Sequence, residues 1–197
     1  NINVKHIFHD PGIPLGPWRS VGHSQNAFIT ESFIDELANL AEQDPYQYRR
    51  SLLRAHQDYL TVLDLVAEKS NWGNAEEGIY QGIAIHKSFG TIVSQVVDVE
   101  LVNDKPKLKR VTCAVDCGTA VNPDQVRAQI ESSVVFGLTA ALKGEINIEG
   151  GAVKESNFHD YQMLRMDETP PIDVHIIESE LPPTGVGEPG TPPIAPA

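Results

Sequence analysis

The stretch Thr91-Ile92-Val93-Ser94-Gln95-Val96-Val97-Asp98-Val99-Glu100-Leu101-Val102 decides the fold class of this chain. It is rich in valine and isoleucine and has a period of two, which is typical of a β-strand. Similar patterns over 82–86 and 108–116 predict two more strands. Asn103-Asp104-Lys105-Pro106 predicts the hairpin turn that joins the last two. We therefore expect a sheet built from hairpins at the centre of the chain.

Helical periodicity is found on both sides of these strands. The spacing of apolar residues predicts helices over 24–42, 56–70 and 123–142. Asp44-Pro45 is typical of another helix start, because aspartate caps a helix and proline suits its first turn. Apolar residues follow one face of each of the three helices with this spacing. They are Ile29, Phe33, Leu37, Leu40 and Ala41 in the helix over 24–42, Leu60, Leu63, Val66 and Ala67 in the helix over 56–70, and Val126, Ile130, Val134 and Leu138 in the helix over 123–142.

The remaining segments complete an α+β class: a mixed sheet with hairpins, packed by several helices. A second hairpin is predicted over 145–155, a further strand over 172–178, and an N-terminal strand over 1–9. A division near residue 75 separates a helical front segment (1–75) from a mixed α/β segment (76–197), although the two could also form one compact unit.

Composition and charge exclude some classes of partner. The chain has 197 residues and a formal charge of −12, which argues against nucleic acid and anionic membrane surfaces, since both require basic patches. No apolar run is long enough to span a membrane, and no signal peptide is visible. The chain has no initiator methionine, and its last eight residues read as the start of a helix. We therefore expect a piece of a longer chain.

The two cysteines, Cys113 and Cys117, are predicted to be buried, inert thiols. Four residues along a strand place them on one face but about 13 Å apart, beyond the reach of a disulfide. Two ligands so placed also make a poor zinc site. The cellular compartment therefore stays open.

Three loops rich in glycine or proline could hold chemistry. The loop over 16–25 leads into a helix, and the exposed N–H groups at a helix start can bind an anion. Arg19 adds a positive charge with a planar, forked set of N–H donors. The segment over 115–123 joins a strand to a helix that carries Gln129, although a glutamine within a helix is usually just solvated. Glu188 lies between Gly187 and Pro189; enclosed there, it could accept a proton near neutral pH, although a glutamate in such a loop is more commonly a surface residue.

The seven histidines give no ligand set. In an extended segment His6 and His9 would point to opposite faces, and no third ligand has a spacing that suits zinc. His159-Asp160 could form an oriented base. We expect structural or surface roles for all seven. The sequence also has no kinase-type phosphate loop, no dinucleotide-binding Gly-x-Gly-x-x-Gly after a strand and no serine nucleophile elbow.

Several motifs in one order resemble the xanthine oxidase family of molybdenum hydroxylases, in the branch of isoquinoline 1-oxidoreductase beta subunits, often named aldehyde dehydrogenases. The resemblance covers nearly the whole chain. The motifs are Gly16-Pro17-Trp18-Arg19-Ser20-Val21-Gly22, Phe33-Ile34-Asp35-Glu36-Leu37-Ala38, Asp44-Pro45-Tyr46-Gln47-Tyr48-Arg49, Ala114-Val115-Asp116-Cys117-Gly118 with Val121-Asn122-Pro123, Ser156-Asn157-Phe158-His159-Asp160-Tyr161 and Gly185-Val186-Gly187-Glu188-Pro189-Gly190.

The resemblance implies a molybdopterin cofactor, in its cytosine dinucleotide form in many bacteria, and iron–sulfur clusters on a small partner subunit. Glu188 then matches the general base, which acts on a molybdenum-bound hydroxyl that attacks an electron-poor carbon, while a hydride passes to a sulfido ligand. The expected cofactor-binding residues are Arg19, through its backbone, Ser20, Val21, Gln129 and Gly187. Val21 stands where relatives with purine substrates carry a stacking phenylalanine, which puts a flat purine-type substrate in doubt.

The chain departs from the family pattern in two ways. Ile130-Glu131-Ser132-Ser133 stands where many relatives have a glycine pair, so the backbone could approach the cofactor differently. A Gly-Gln-Gly loop, a Gly-Gly-Phe-Gly loop and any cysteine pattern for iron–sulfur clusters are missing. We therefore expect the chain to hold only part of the cofactor cleft and to need the remainder of the large subunit.

Three hypotheses follow. The first is a fragment of a molybdenum hydroxylase large subunit that acts on an aldehyde or an N-heterocycle in the full-length protein and is inactive alone. The second is a non-catalytic binding or assembly module that keeps the fold. The third, which ranks far below these, is an unrelated hydrolase using His159 and Asp160. The substrate, the oligomeric state, the electron acceptor and the choice between cytoplasm and periplasm of a bacterium stay open.

Overall fold

A computed structural model describes residues 5, 7–9 and 12–197. The predicted strand over 1–9, for the most part, and the position of His6 lie outside the described residues. Within these residues the elements, in chain order, are α1 (Gly22–Leu40), α2 (Pro45–Leu52), α3 (Gln57–Ser70), β1 (Ile79–Ser88), β2 (Thr91–Val102), β3 (Lys105–Asp116), α4 (Pro123–Leu142), β4 (Ile148–Glu149), β5 (Ala152–Val153) and β6 (Ile172–Ile176).

The main sheet has four strands in the order β1-β2-β3-β6. β1 and β2 are antiparallel, as are β2 and β3, whereas β6 runs parallel to β3. Two-residue turns with positive φ at Phe89-Gly90 and Asn103-Asp104 join the antiparallel strands, and such turns match the twist of a hairpin. Parallel neighbours need a crossover, and α4 lies in the long connection from β3 to β6. The predicted α+β class with a mixed sheet is confirmed.

β2 is buried along its first eight residues because helices cover both faces of the sheet. Val93 and Val97 pack in a cluster with α4, whereas Ile92 and Val96 pack in a cluster with α3. The alternation follows from the period of two in a strand. All four residues of the predicted apolar stripe of α4 are buried, which confirms that stripe: Val126, Ile130, Val134 and Leu138.

Both cysteines belong to this interior. Cys113 and Cys117 are buried and free, and burial raises the pKa of both thiols. The prediction of buried thiols is confirmed, and neither thiol is poised to react as a thiolate.

The apolar stripe predicted on α1 is the wrong face of that helix. Ile29, Phe33 and Leu40 are all more than half exposed, and the buried positions are Ala27, Glu31 and Ala38. The physical reason is that Glu31 has strong buried partners. Its Oε2 accepts hydrogen bonds from the Ile85 backbone N–H of β1 and from Arg49 Nε of α2, both at 2.9 Å.

Arg49 ties α1 to α2. Its side chain is only 2% exposed, and it donates to the Glu31 carboxylate and backbone carbonyl and to the Asp35 carboxylate. Burial raises the pKa of Glu31, and the positive charge of Arg49 opposes that rise. Arg49 can therefore lie inside this interface because each nitrogen of its guanidinium has an acceptor.

Three peripheral segments are less regular than predicted. β4 and β5 form a hairpin of two residues each, and β6 ends at Ile176. The terminal segment over 190–197 forms turns, with Thr191 N–H donating to Glu188 O and Ala197 N–H to Pro193 O, where a helix start was expected. Among the described helices, none has the length and the apolar character that crossing a bilayer requires.

We expect Arg49→Met to lower the free energy of unfolding by about 3–5 kcal/mol, because it leaves Glu31 buried without its countercharge. Urea unfolding of the 197-residue chain measures this. Arg50→Met is the matched control: Arg50 pairs with Asp64 at the surface, and such pairs contribute little. An unfolding midpoint that moved no more for Arg49→Met than for Arg50→Met would contradict the prediction.

Candidate active site

The loop that carries Glu188 is docked against the turn between β1 and β2. Gly185 N–H donates to Phe89 O at 3.1 Å, and Thr91 Oγ1 donates to Gly185 O at 2.6 Å. At the other end of the loop, Gln95 Nε2 donates to Gly190 O at 2.9 Å. Thr91 and Gln95 are buried polar residues of β2, so the central strand holds the loop at both ends.

Gly190 allows this loop to lie directly on α4. A Cβ atom on Gly190 would stand 2.8 Å from Ser133 Cβ and 3.3 Å from Ile130 Cδ1. The first distance is shorter than van der Waals contact permits, so only glycine fits here without a shift of the backbone.

The second loop of the site turns sharply before α1. Ser20 and Val21 both have positive φ, at 72° and 43°, and Val21 N–H closes the turn by donating to Trp18 O at 2.8 Å. Positive φ is strained for a β-branched residue, and such strain persists only where neighbouring contacts impose it. In this turn the contacts come from Ser20, which is fully buried.

Ser20 contacts Glu188 twice, although the two residues are 168 positions apart. The Ser20 backbone N–H donates to Glu188 Oε1 at 2.9 Å, and Ser20 Oγ donates to the Glu188 carbonyl at 2.7 Å. The carboxylate is half-buried. Within the described part of the chain, its second oxygen, Oε2, has no hydrogen-bond donor. One oxygen is thus fixed and the other is available.

Arg19 joins the same site through its side chain. Its Nε donates to Gly187 O at 2.9 Å, and its Nη1 donates to Ser132 Oγ at 3.0 Å. Its Nη2 reaches Gln129 Oε1 at 3.3 Å. Burial lowers the pKa of Arg19, and the negative charge of Glu188 acts in the opposite direction; an arginine nevertheless stays charged.

Five of the six predicted site residues therefore come together around one loop: Arg19, Ser20, Gln129, Gly187 and Glu188. Gln129 is exposed on α4, yet its side chain contacts Arg19, so it has a partner in the site. The sixth residue, Val21, follows Ser20 in the turn, and its side chain is 45% exposed. The exposed part of the Val21 side chain leaves room for a ligand.

Four further residues belong to the site. Three of them lie in no motif of the sequence, and the fourth, Ser132, lies in the segment that stands where many relatives have a glycine pair. Ser132 and Phe136 lie on α4, where Phe136 packs against Trp18 at 4.8 Å between ring centroids and under the Arg19 guanidinium at 5.6 Å. Thr91 and Gln95 lie in β2. Their one signal in the sequence is a polar side chain inside an apolar strand, which requires a buried partner.

A cavity of about 340 Å³ opens beside this cluster, between the start of α4 and the loop that carries Glu188. Neutral polar side chains form much of its wall. They are Thr119, Asn122, Gln125, Gln129 and Thr184. Hydroxyl and amide groups can donate to or accept from the edge of a heterocycle without the cost of burying a charge.

Two histidines lie next to the Ser20 turn. His23 Nδ1 and His86 Nε2 are 3.0 Å apart, and His23 N–H donates to Ser20 O. Burial, together with the nearby His23, lowers the pKa of His86 to about 4. Among the described residues, no group of three or more histidines, cysteines and acids could hold a metal ion.

The His159–Asp160 pair does not form an oriented base. The two side chains are 3.5 Å apart, which is long for a hydrogen bond, and His159 is 74% exposed. The Asp160 carboxylate instead accepts from the backbone N–H groups of Ser156 and Asn157. These bonds hold the pKa of Asp160 below its usual value, so the carboxylate stabilises a turn.

Comparison with known proteins points to one family. The sequence profile of the molybdopterin cofactor-binding domain matches residues 21–170. The chain is similar to the isoquinoline 1-oxidoreductase subunit beta of Brevundimonas diminuta, at 35% identity over 91% of this chain and 24% of that protein. It is also similar to a membrane-bound aldehyde dehydrogenase of Gluconacetobacter polyoxogenes, named for pyrroloquinoline quinone, at 29% identity over 91% of this chain and 26% of that protein.

A solved structure shares the fold. The aldehyde oxidoreductase of Desulfovibrio gigas superposes with a TM-score of 0.66 at 10% identity, over 91% of this chain and 38% of that one. The chain spans about a quarter of the length of the two curated relatives.

We expect the chain to lose stability as pH falls from about 6.5 towards 4, because the unfolded state binds a proton that folded His86 excludes over this range. His86→Asn should remove part of this dependence. Urea unfolding at several pH values measures it, and His159→Asn, at an exposed position, should keep the parent slope. Equal slopes for the parent chain and His86→Asn would contradict the prediction.

Proposed function

The chain belongs to the molybdopterin cofactor-binding domain family, and from this premise we propose that it forms part of the active-site cleft of a molybdenum-dependent hydroxylase. In the full-length protein this enzyme oxidises an aldehyde or an N-heterocycle with oxygen derived from water. The observation that carries the proposal is the contact between Ser20 and Glu188, which leaves one oxygen of a half-buried carboxylate available.

The substrate class follows from the chain's relatives. One is named for the oxidation of isoquinoline and the other for that of an aldehyde. Both substrate classes have an electron-poor carbon bonded to hydrogen, and the overall reaction converts C–H and water to C–OH with release of two electrons and two protons. The exposed side of Val21 leaves room for a substrate at this position.

The residues present fit one side of a molybdopterin cofactor. The cavity beside Gln129 is lined by apolar residues and by five neutral polar side chains, a combination that suits a flat ring system with polar edges such as a pterin. We propose that Arg19, through its backbone, together with Ser20, Val21, Gln129 and Gly187 holds the cofactor, in its cytosine dinucleotide form. When bound, the cofactor supplies a molybdenum centre that accepts the two electrons and activates the oxygen that is transferred.

Glu188 is the general base of this proposal. The Ser20 N–H holds Oε1 and thereby sets the direction of the carboxylate. Oε2 takes the proton that is released when oxygen is transferred to the substrate. Side chains of β2 bind the loop at Gly185 and Gly190. The central strand of the fold therefore sets the position of the base, and catalysis requires a base that is held by such a rigid element.

The proposed assembly includes two further parts. The remainder of the large subunit supplies the rest of the cleft, since the chain spans only about a quarter of its curated relatives. A small subunit with iron–sulfur clusters carries the electrons away. We propose that the isolated 197-residue chain has no turnover of its own.

The competing proposal is a non-catalytic binding or assembly module with the same fold. The names of the two relatives, both of them oxidoreductases, favour the enzyme. Cofactor analysis of the full-length protein with its partner subunit separates the proposals. Stoichiometric molybdenum and a pterin dinucleotide support the hydroxylase, whereas the absence of both supports the module. Pyrroloquinoline quinone in the extract would overturn the cofactor assignment.

We expect Glu188→Gln in the full-length protein to lower kcat by about 10²–10⁴-fold while molybdenum content is unchanged, because the amide keeps the size of the side chain but cannot take the proton. Steady-state turnover and metal analysis of the same preparation measure this. Glu180→Gln, at an exposed position eight residues earlier, should keep parental turnover. Parental kcat in Glu188→Gln would remove Glu188 as the base.

A further inference from the structure

We propose that the Arg19 guanidinium is a positioning group that clamps the loop carrying Glu188 onto α4. The inference rests on the proposed role of Glu188, and it concerns the Arg19 side chain, whereas the family resemblance concerns only the Arg19 backbone. Its basis is the set of acceptors that the guanidinium contacts.

The guanidinium contacts two elements at once. On the loop, Nε and Nη2 both donate to the carbonyl of Gly187, the residue directly before Glu188. On α4, Nη1 donates to Ser132 Oγ and Nη2 to the carbonyl and side-chain oxygens of Gln129. A planar fork with five donors can serve acceptors on two sides in this way, whereas an ammonium cannot hold the same geometry.

The clamp acts at the point of the loop that is otherwise least restrained. The outer anchors, Thr91 and Gln95, hold Gly185 and Gly190. Between them, the hydrogen bonds to the Gly187 carbonyl come from Arg19 alone within the described residues. A glycine rotates more freely than any other residue, so without the clamp the peptide before Glu188 could turn and carry the carboxylate away from Ser20.

α4 provides a fixed surface to which Arg19 can clamp the loop. Its inner stripe is buried against the sheet, and its outer side carries Phe136, which packs on Trp18 and lies under the guanidinium. Trp18 and Arg19 are neighbours in the chain. The aromatic contact therefore fixes the backbone from which the guanidinium extends, and it adds a cation–π attraction.

The acceptors of Arg19 are all uncharged, and the Glu188 carboxylate is not among them. The negative charge of Glu188 is near enough to act on the pKa of Arg19, yet the described residues contain no ion pair between the two side chains. A bidentate arginine–carboxylate pair would occupy both carboxylate oxygens. Arg19 thus contributes a nearby positive charge and holds the backbone, and it leaves Oε2 available.

Hydrogen exchange in the full-length protein, prepared without its metal, tests the clamp directly. In Arg19→Gln we expect the Ser20 amide, which Glu188 protects, and the peptide over 185–190 to exchange at least about tenfold faster, since several charge-assisted bonds are lost. Arg19→Lys should show the same increase because it keeps the charge without the fork. Ser132→Ala, which removes one acceptor on α4, should give a smaller increase.

The matched control is Arg127→Gln, on the same helix, where the arginine side chain pairs with Asp124 at the surface; exchange at these sites should equal that of the parent. Parental exchange at Ser20 in Arg19→Gln would overturn the clamp. If Arg19→Gln cannot be purified folded, Arg19→Lys and Ser132→Ala decide by the same measurement.

A second measurement separates the clamp from the proposed function. If Arg19 acts through Glu188, adding Arg19→Gln to Glu188→Gln should cause little further loss of turnover in the metal-loaded protein. A full additional loss would overturn positioning of Glu188 as its role. Faster exchange in Arg19→Gln together with parental turnover in Glu188→Gln would keep the clamp and reject the base.

Discussion

The burial of β2 on both faces is the constraint on which the rest of the structure depends. α3 covers one face and α4 the other, so nearly every side chain in the first two-thirds of the strand lies in a core. Buried polar groups in this strand must find partners. Thr91 Oγ1 and Gln95 Nε2 find them in the backbone of the loop that carries Glu188. The same burial that stabilises the sheet thus fixes the position of the candidate base.

Much of the fold could be predicted from local pattern. β2 and α4 were predicted with the bounds that the structure has, because a strand of valines and an apolar stripe at helical spacing each carry their own periodic signal. α1 shows the limit of this signal. The apolar spacing correctly predicted a helix but indicated the wrong buried face. The buried face is set by Glu31, whose partners Arg49 and Ile85 lie 18 and 54 residues away. Periodicity cannot indicate a partner at that distance.

The candidate site was predictable only through resemblance, and then incompletely. Nothing in the local sequence joins Ser20 to Glu188, because the contact crosses 168 positions. The positive φ values of Ser20 and Val21 oppose the extended preference of valine. Ser132 stands where many relatives have a glycine pair, but its role as an acceptor for Arg19 could not be predicted, because a serine within a helix is usually solvated. In each case the missing information is a contact between segments that are far apart in the chain, and the packing of helices and loops on the sheet brings these segments together.

The strain in the Ser20 turn and the order of the Glu188 loop depend on each other. The turn stays in its unfavourable conformation because Ser20 contributes two hydrogen bonds to Glu188 and its carbonyl accepts one from His23. The Glu188 side chain keeps its direction because the turn presents the Ser20 N–H to it. The two loops reach each other only when α1 and the segment over 185–190 are both docked on the sheet. The geometry of the site is therefore a property of the complete core, and a change that loosens α1 from β1, such as the loss of a Glu31 contact, should reach Glu188 through Ser20.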